Sequence, residues 1–234
     1  MDFRVISIGA LAANPIWGER SPARAGHATT TLVRSGKAVI LVDPALPEQV
    51  LLPRLHERAG LRAKDVTHVF LTRFSPEHTR GLAAFGHAKW LIHGPERESV
   101  GVQLATALKD MMTRSESQGG VAKDESLRSI LENDVGLLSR CEAAPESLAD
   151  RVDLFPLPGV SPGCCGLLIS HPRHTLLVAG DSVPTQEHAE QGKVMQGVGD
   201  MEQAKASFEE AIEIADLIVP GRDNVFVNPT KKPF

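Results

Sequence analysis

Apolar residues recur along this chain in two rhythms. Short alternating or unbroken apolar runs mark strands, and longer stretches with apolar positions three or four apart mark helices. Phe3 to Ala10 predicts a first strand. Residues 11–28 hold Pro, Gly and charge without a period and read as an irregular loop. Thr29 to Arg34 and Ala38 to Val42 predict two strands joined through Ser35-Gly36-Lys37, a hairpin turn. Pro47 to Ala59 predicts a helix with Val50, Leu51 and Leu55 on one face, closed by Gly60. Val66 to Leu71 predicts a strand that breaks into a loop at Pro76 and a helical segment from His78 to Phe85. Lys89 to His93 is the next strand. Pro95 to Met112 is a helix with Val100, Leu104, Ala107, Leu108 and Met111 inward, its two Met residues serving as core filler.

The second half repeats the order. Ser115 to Ala122 (SESQGGVA) reads as a linker. Asp124 to Cys141 predicts a helix with Leu127, Ile130, Leu131, Val135 and Leu138 in register, weakened by Gly136. Arg151 to Leu157 predicts a strand. Leu167 to Ser170 and Thr175 to Ala179 predict a hairpin across HPRH. Met201 to Ala215 is an amphipathic helix, Asp216 to Val219 the last strand, and NPTKKPF a frayed tail. Strands then helix, twice, with no shorter repeat, predict an α/β chain whose two sheets bury against each other. The halves run roughly 1–114 and 123–234 within a single domain.

Composition narrows the partners. The 234 residues are 42% hydrophobic and 23% charged, enough for a real core. A net charge of -4 without a basic stripe argues against nucleic acid. No apolar run approaches the ~20 residues that span a bilayer. Three Cys, two of them adjacent, make no disulfide framework and no CxxC, and the N-terminus reads as a strand and not as a signal peptide. The expectation is a cytoplasmic protein with a small acidic ligand or a protein partner, and a homo-oligomer as one of its forms.

Polar residues then collect where predicted strands end. The pieces are ILVDPAL (40–46), FLTRFSPEHTRGL (70–82), FPLPGVSPGCCGLLI (155–169), LLVAGDSV (176–183) and LIVPGRDN (217–224). Asp43 reads as a turn or cap carboxylate, with a site role as the alternative. Taken together and in this order, the pieces resemble the metallo-β-lactamase superfamily of metal-dependent hydrolases over nearly the whole chain. The resemblance implies a four-layer αββα sandwich.

It also implies a set of ligand positions. The family loop pattern THxHxDHxxG places Arg73 and Ser75 at His positions, Glu77 at the Asp position, and His78 at a matching His. Val160 stands at the His of PGHTPG, Asp181 at the bridging Asp, and Arg222 at the final His. The metal that would need Arg73, Ser75 and Val160 has lost its ligands, because Val has no lone pair and Arg stays protonated. Glu77, His78 and Asp181 keep donors for one Zn²⁺, Mn²⁺ or Fe²⁺, with Asp181 and His78 as the catalytic pair if a metal-activated water acts. The alternative needs no cofactor. Arg73 and Arg222 pair with Asp181 and Glu77 in place of the cations, since unpaired buried carboxylates are costly. That gives a protein that is non-catalytic or weakly active, against a mononuclear hydrolase of an ester, lactone, thioester or phosphoester.

Other polar residues carry weaker expectations. Cys164 and Cys165 read as buried packing residues. Ser75 and Ser161 show no assembled Ser-His-Asp context in the sequence. His27 reads as a loop residue, His188 as lining the site, capping a helical turn or exposed to solvent, His68 as part of a sheet, and His93 as near the pocket edge. His56, His87, His171 and His174 read as surface residues.

Overall fold

Alternation within single strands builds the layers of this protein. In the strand His68–Leu71, Val69 and Leu71 enter one hydrophobic cluster and Phe70 enters another. In the strand His174–Gly180, Leu176 and Val178 join the cluster that holds Phe70, while Leu177 and Ala179 face a third. Strands with both faces apolar must be covered on both sides. The computed structural model describes residues 1–117 and 121–231, and within them two six-stranded sheets pack face to face with helices outside.

The first sheet runs in chain order: β1 (Asp2–Ser7), β2 (Thr30–Ser35), β3 (Ala38–Val42), β4 (His68–Leu71), β5 (Lys89–Ile92) and β6 (Cys141–Ala143). Its first pairs are antiparallel, and β3 to β6 are parallel. Helices α1 (Glu48–Ala59), α2 (Pro76–Thr79), α3 (Gly94–Ser117) and α4 (Val121–Ser139) belong to this half. The second sheet holds β7 (Ser147–Ala149), β8 (Val152–Pro156), β9 (Cys165–His171), β10 (His174–Gly180), β11 (Leu217–Pro220) and β12 (Phe226–Val227), with β10 and β11 parallel. Helices α5 (Gln186–Gln191) and α6 (Met201–Ile214) complete it, and α6 buries Phe208 and Ala211 against the outer face. The arrangement is the four-layer αββα sandwich.

Several sequence expectations need correction. The helix expected from His78 to Phe85 is broken into α2 and a 3-10 turn, Leu82–Phe85. Gly81 sits between them, its N–H donated to the Pro44 carbonyl at 2.8 Å. A side chain there would strike the Leu46 carbonyl, so the chain needs glycine. Cys141 begins β6 and does not end a helix. The short strands β6, β7 and β12 carry too few residues to show alternation. Helix α4 runs through Gly136, but it packs chiefly on α3 and meets the sheet only at β6. Only Leu138 of its expected face is fully buried, and Leu127, Ile130 and Val135 are exposed. Val50 is also exposed, and of the Met pair only Met111 is in the core. The expected linker, residues 115–122, is helical to Ser117 and again from Val121; 118–120 lie outside the described residues, as does the tail from 232.

The turn after β8 is fixed by close approach. Gly159 has φ 124° and lies against the backbone of Ala204 in α6, and its carbonyl accepts the Asp200 N–H at 2.9 Å. A Cβ there meets both steric overlap and a strained backbone. Gly159→Ala should therefore cost at least about 3 kcal/mol in urea unfolding. Gly94→Ala, with open space around its Cβ, should change stability by less than about 1 kcal/mol. Equal effects would contradict this account of the turn.

Candidate functional site

Parallel pairing of β10 with β11 aligns their ends, from Leu176 opposite Leu217 to Gly180 opposite Pro220, with a register shift after Val178. The next residues, Asp181 and Gly221-Arg222, are thus delivered side by side. Gly221 donates its N–H to the Val183 carbonyl at 3.0 Å, and Arg222 donates to the Pro184 carbonyl at 2.8 Å. From the other sheet, Thr72 follows β4 and ties the sheets together, since its carbonyl accepts the Cys165 N–H at 2.9 Å. Arg73, Ser75, Glu77 and His78 come next on that loop.

Arg222 dominates the site. Its Nε donates to Asp181 Oδ1 at 2.6 Å and its Nη2 to Asp181 Oδ2 at 2.7 Å, a two-pronged pairing of planar groups. Its Nη1 donates to Glu77 Oε2. Arg73 Nη1 adds a bond to Asp181 Oδ2 at 3.2 Å. Asp181 is wholly buried, and Arg222 is 5% exposed. Burial pulls the Asp181 carboxyl up, but the Arg222 charge overrides it and holds the group well below the usual carboxylate range. Burial would likewise lower the Arg222 pKa, and Asp181 and Glu77 raise it instead. Two guanidinium groups face two carboxylates, so the formal charges cancel.

His78 is fully buried beside them. Its Nδ1 lies 2.8 Å from Ser75 Oγ, and its Nε2 lies 3.5 Å from Asp181 Oδ2 without a hydrogen-bond partner. Ser75, His78 and Asp181 thus fall in a line that the sequence did not foretell. Burial holds the His78 pKa at about 3, too low for a general base, and the arginines already occupy Asp181. The order of a Ser-His-Asp triad is present without its chemistry.

Asp43 is buried and stands at φ 48°, a left-handed conformation uncommon outside glycine. It accepts the Thr72 N–H at 2.9 Å and the Thr72 hydroxyl at 2.6 Å, so it braces the loop from behind. Burial pushes its carboxyl up to about 7. Val160 is buried and contributes no donor. A carboxylate absent from the sequence expectations, Glu96 in the first turn of α3, is also buried. It accepts the Phe74 N–H and the Gly163 N–H, each at 3.1 Å, and so holds together the loops that carry Arg73 and Val160. His93 supports the same join, donating from Nδ1 to the Gly163 carbonyl at 3.0 Å. An acidic residue in a helix's first turn is common, and no local signal distinguishes this one.

Beside the ion pairs opens a cleft of about 650 Å³. Leu11, Ala12, Pro15, Arg20, Met195 and His188 are among its walls, and Glu77 and Arg222 form its floor. Asp43, Arg73, Ser75 and Val160, expected at the pocket, are not among the residues that line it. The segment expected as irregular loop supplies one wall, partly through the 3-10 turn Pro15–Trp17. His188 is buried at the cleft. His27, whose ring nitrogens face the Ala25 and Ile8 carbonyls, stands apart. The buried thiols of Cys164 and Cys165 have raised pKa values, Cys165 to about 12, and are unreactive.

Among the described residues, no three His, Cys, Asp or Glu side chains gather as ligands. The carboxylates of Glu77 and Asp181 are engaged by Arg222, and a dication there would meet its positive charge.

A model of the metallo-beta-lactamase superfamily matches residues 23–221. Among solved structures, AidC, a dizinc quorum-quenching lactonase in complex with a product, superposes with TM-score 0.66 at 19% identity, covering 88% of this chain and 76% of its own. A Thermotoga maritima protein with a provisional metallo-beta-lactamase designation gives TM-score 0.65 at 17% identity, covering 97% and 98%. B. thuringiensis AiiA, as a point mutant with N-decanoyl-L-homoserine at its active site, gives 0.62 at 17%, covering 94% and 92%. At these identities the likeness speaks for the fold. No curated protein sequence matches the chain. No described helix is long and apolar enough to cross a membrane.

The site's titration has a defined sign. His78 takes a proton near pH 6.5 when unfolded but only near 3 when folded, so its contribution to stability is lost as pH falls through that window. The depressed Asp181 adds a further loss below its unfolded value of 3.8. Asp43 acts oppositely. Raised from 3.8 to about 7, it favours the folded state as pH falls from 7 to 4. Asp43→Asn should therefore lose thermal stability faster than the parent between pH 7 and 4, and melting curves across that range that run parallel would contradict this.

Proposed function

The chain belongs to the metallo-beta-lactamase superfamily, and we propose that within it this protein works without the family's metals and is non-catalytic or weakly active. Two guanidinium groups take the place of the cations, and the adjoining cleft binds a small acidic molecule or a protein partner. The observation that carries this reading is the pairing of Asp181. Both of its oxygens are bound by Arg222, and Arg73 binds one of them again. An anion entering the site would find Arg222 already satisfied, so recognition falls to groups further out in the cleft.

The shared fold allows a second reading. His78 Nε2 is a buried imidazole nitrogen without a partner, aimed at Asp181, as a ligand of one metal with Glu77 and Asp181 would be. In that reading a Zn²⁺, Mn²⁺ or Fe²⁺ would supply an activated water for hydrolysis of an ester, lactone, thioester or phosphoester. It requires Arg222 to leave both carboxylates, whereas a buried guanidinium with two bonds to the buried Asp181 and a third to the part-exposed Glu77 is held firmly.

Metal analysis separates the readings. Protein purified without chelator or added metal should contain far less than one metal per chain. Adding Zn²⁺, Mn²⁺ or Fe²⁺ should leave Tm unchanged. An ion bound at a hundred times its Kd would add about 2.7 kcal/mol of stability. Stoichiometric metal, or a rise in Tm of that size with metal-dependent lactone hydrolysis, would overturn the proposal.

A further inference from the structure

Polar groups that the ion-pair cluster does not use also line the cleft: His188 and Arg20, beside Glu19 and Gln196. His188 is 4% exposed at the start of the short helix α5. Thr185 Oγ1 accepts the His188 backbone N–H at 3.3 Å and lies 2.9 Å from the ring Nδ1. Nδ1 is thereby engaged. Nε2 has no partner among the described residues and is not among the buried atoms that lack one, so it reaches solvent, and the open space His188 lines is the cleft. The second group is Arg20. Of the charged residues on the cleft wall, Glu19 is bound to Arg24, and Glu77 to Arg222. Arg20 is exposed and forms no ion pair among the described residues. Leu11, Ala12, Ala13, Pro15 and Met195 make the remaining wall largely apolar.

We propose that the cleft takes a small monocarboxylate with an apolar body, its carboxylate held between Arg20 and the Nε2–H of His188. This rests on the reading of the cleft as a binding site. Its volume, about 650 Å³, falls within the range of small-molecule sites, which combine apolar walls with a few fixed polar groups. Within this proposal Thr185 directs its hydroxyl proton to Nδ1, 2.9 Å away, which leaves the ring proton on Nε2. Glu187, two residues on, is the competing acceptor for that hydroxyl. Burial also lowers the His188 pKa, so the ring acts as a neutral donor while Arg20 supplies the charge. Recognition has thus moved outward from the place the family gives to metal.

Nitrogen-15 NMR of the full chain, labelled at histidine, tests this with two probes of one shape: cyclohexanecarboxylate and cyclohexanecarboxamide. The His188 ring should show the Nε2–H tautomer, and its signals should move saturably with the carboxylate. The carboxylate should bind about tenfold more tightly than the amide, the loss expected when a hydrogen-bonded charge is removed. Arg20→Ala, a surface change that leaves the core intact, should abolish that preference. An Nδ1–H tautomer, signals that do not move, or equal binding of the two probes would overturn the proposal, as would a preference that survives in Arg20→Ala. The metal analysis above is independent, so failure of the metal-free reading is seen separately from failure of this one.

Discussion

The site depends on one constraint: a fully buried carboxylate must face positive charge. Asp181 is placed by the parallel pair β10 and β11, which the second sheet requires whatever happens at the site. Left alone there, it would take a proton or destabilise the fold. Arg222 meets the need from the neighbouring strand end, with a planar fork matched to the carboxylate. Its remaining nitrogen holds Glu77, and Arg73 closes the set from the opposite sheet.

The rest of the site is arranged around that pairing. The loop after β4 and the loop after β10 must stay fixed for Arg73, Glu77 and Asp181 to meet. Thr72 is locked by Asp43 and bonded to Cys165 across the sheets. Glu96 gathers Phe74 and Gly163. Hydrogen bonds from backbone N–H groups to carboxylates thus cross-link the loops around the ion pairs. The ion pair of Arg222 with Glu77 leaves the cleft with a floor that is electrically neutral.

Much of this was legible in the sequence. Ala38–Val42 appears as a strand at the positions the pattern gave, and α6 and the hairpin of β9 and β10 differ by a few residues at their ends. Those elements have strong periods because they pack on a core along their length. The helix after Pro76 was misread because Gly81 approaches the Leu46 carbonyl, a contact distant in sequence. The exposed face of α4 was misread because periodicity reports an apolar stripe without saying what covers it. At the site, the order of motifs placed Arg73, Glu77, Asp181 and Arg222 at one end of the sheets. That Asp43 braces Thr72 from behind, that Glu96 links two loops, and that Ser75 lies against His78 depend on side-chain directions, which no spacing rule supplies.

The most direct test of guanidinium in place of metal is a double-mutant cycle on Arg222 and Asp181, read by urea unfolding in the presence of EDTA. Arg222→Met alone strands a buried carboxylate and should cost about 3–5 kcal/mol. Asp181→Leu alone leaves Arg222 buried with only Glu77 and should cost a similar amount. The double variant, Arg222→Met with Asp181→Leu, should recover most of the loss, giving a coupling energy of at least about 2 kcal/mol. Additive losses, with no recovery in the double variant, would contradict the account.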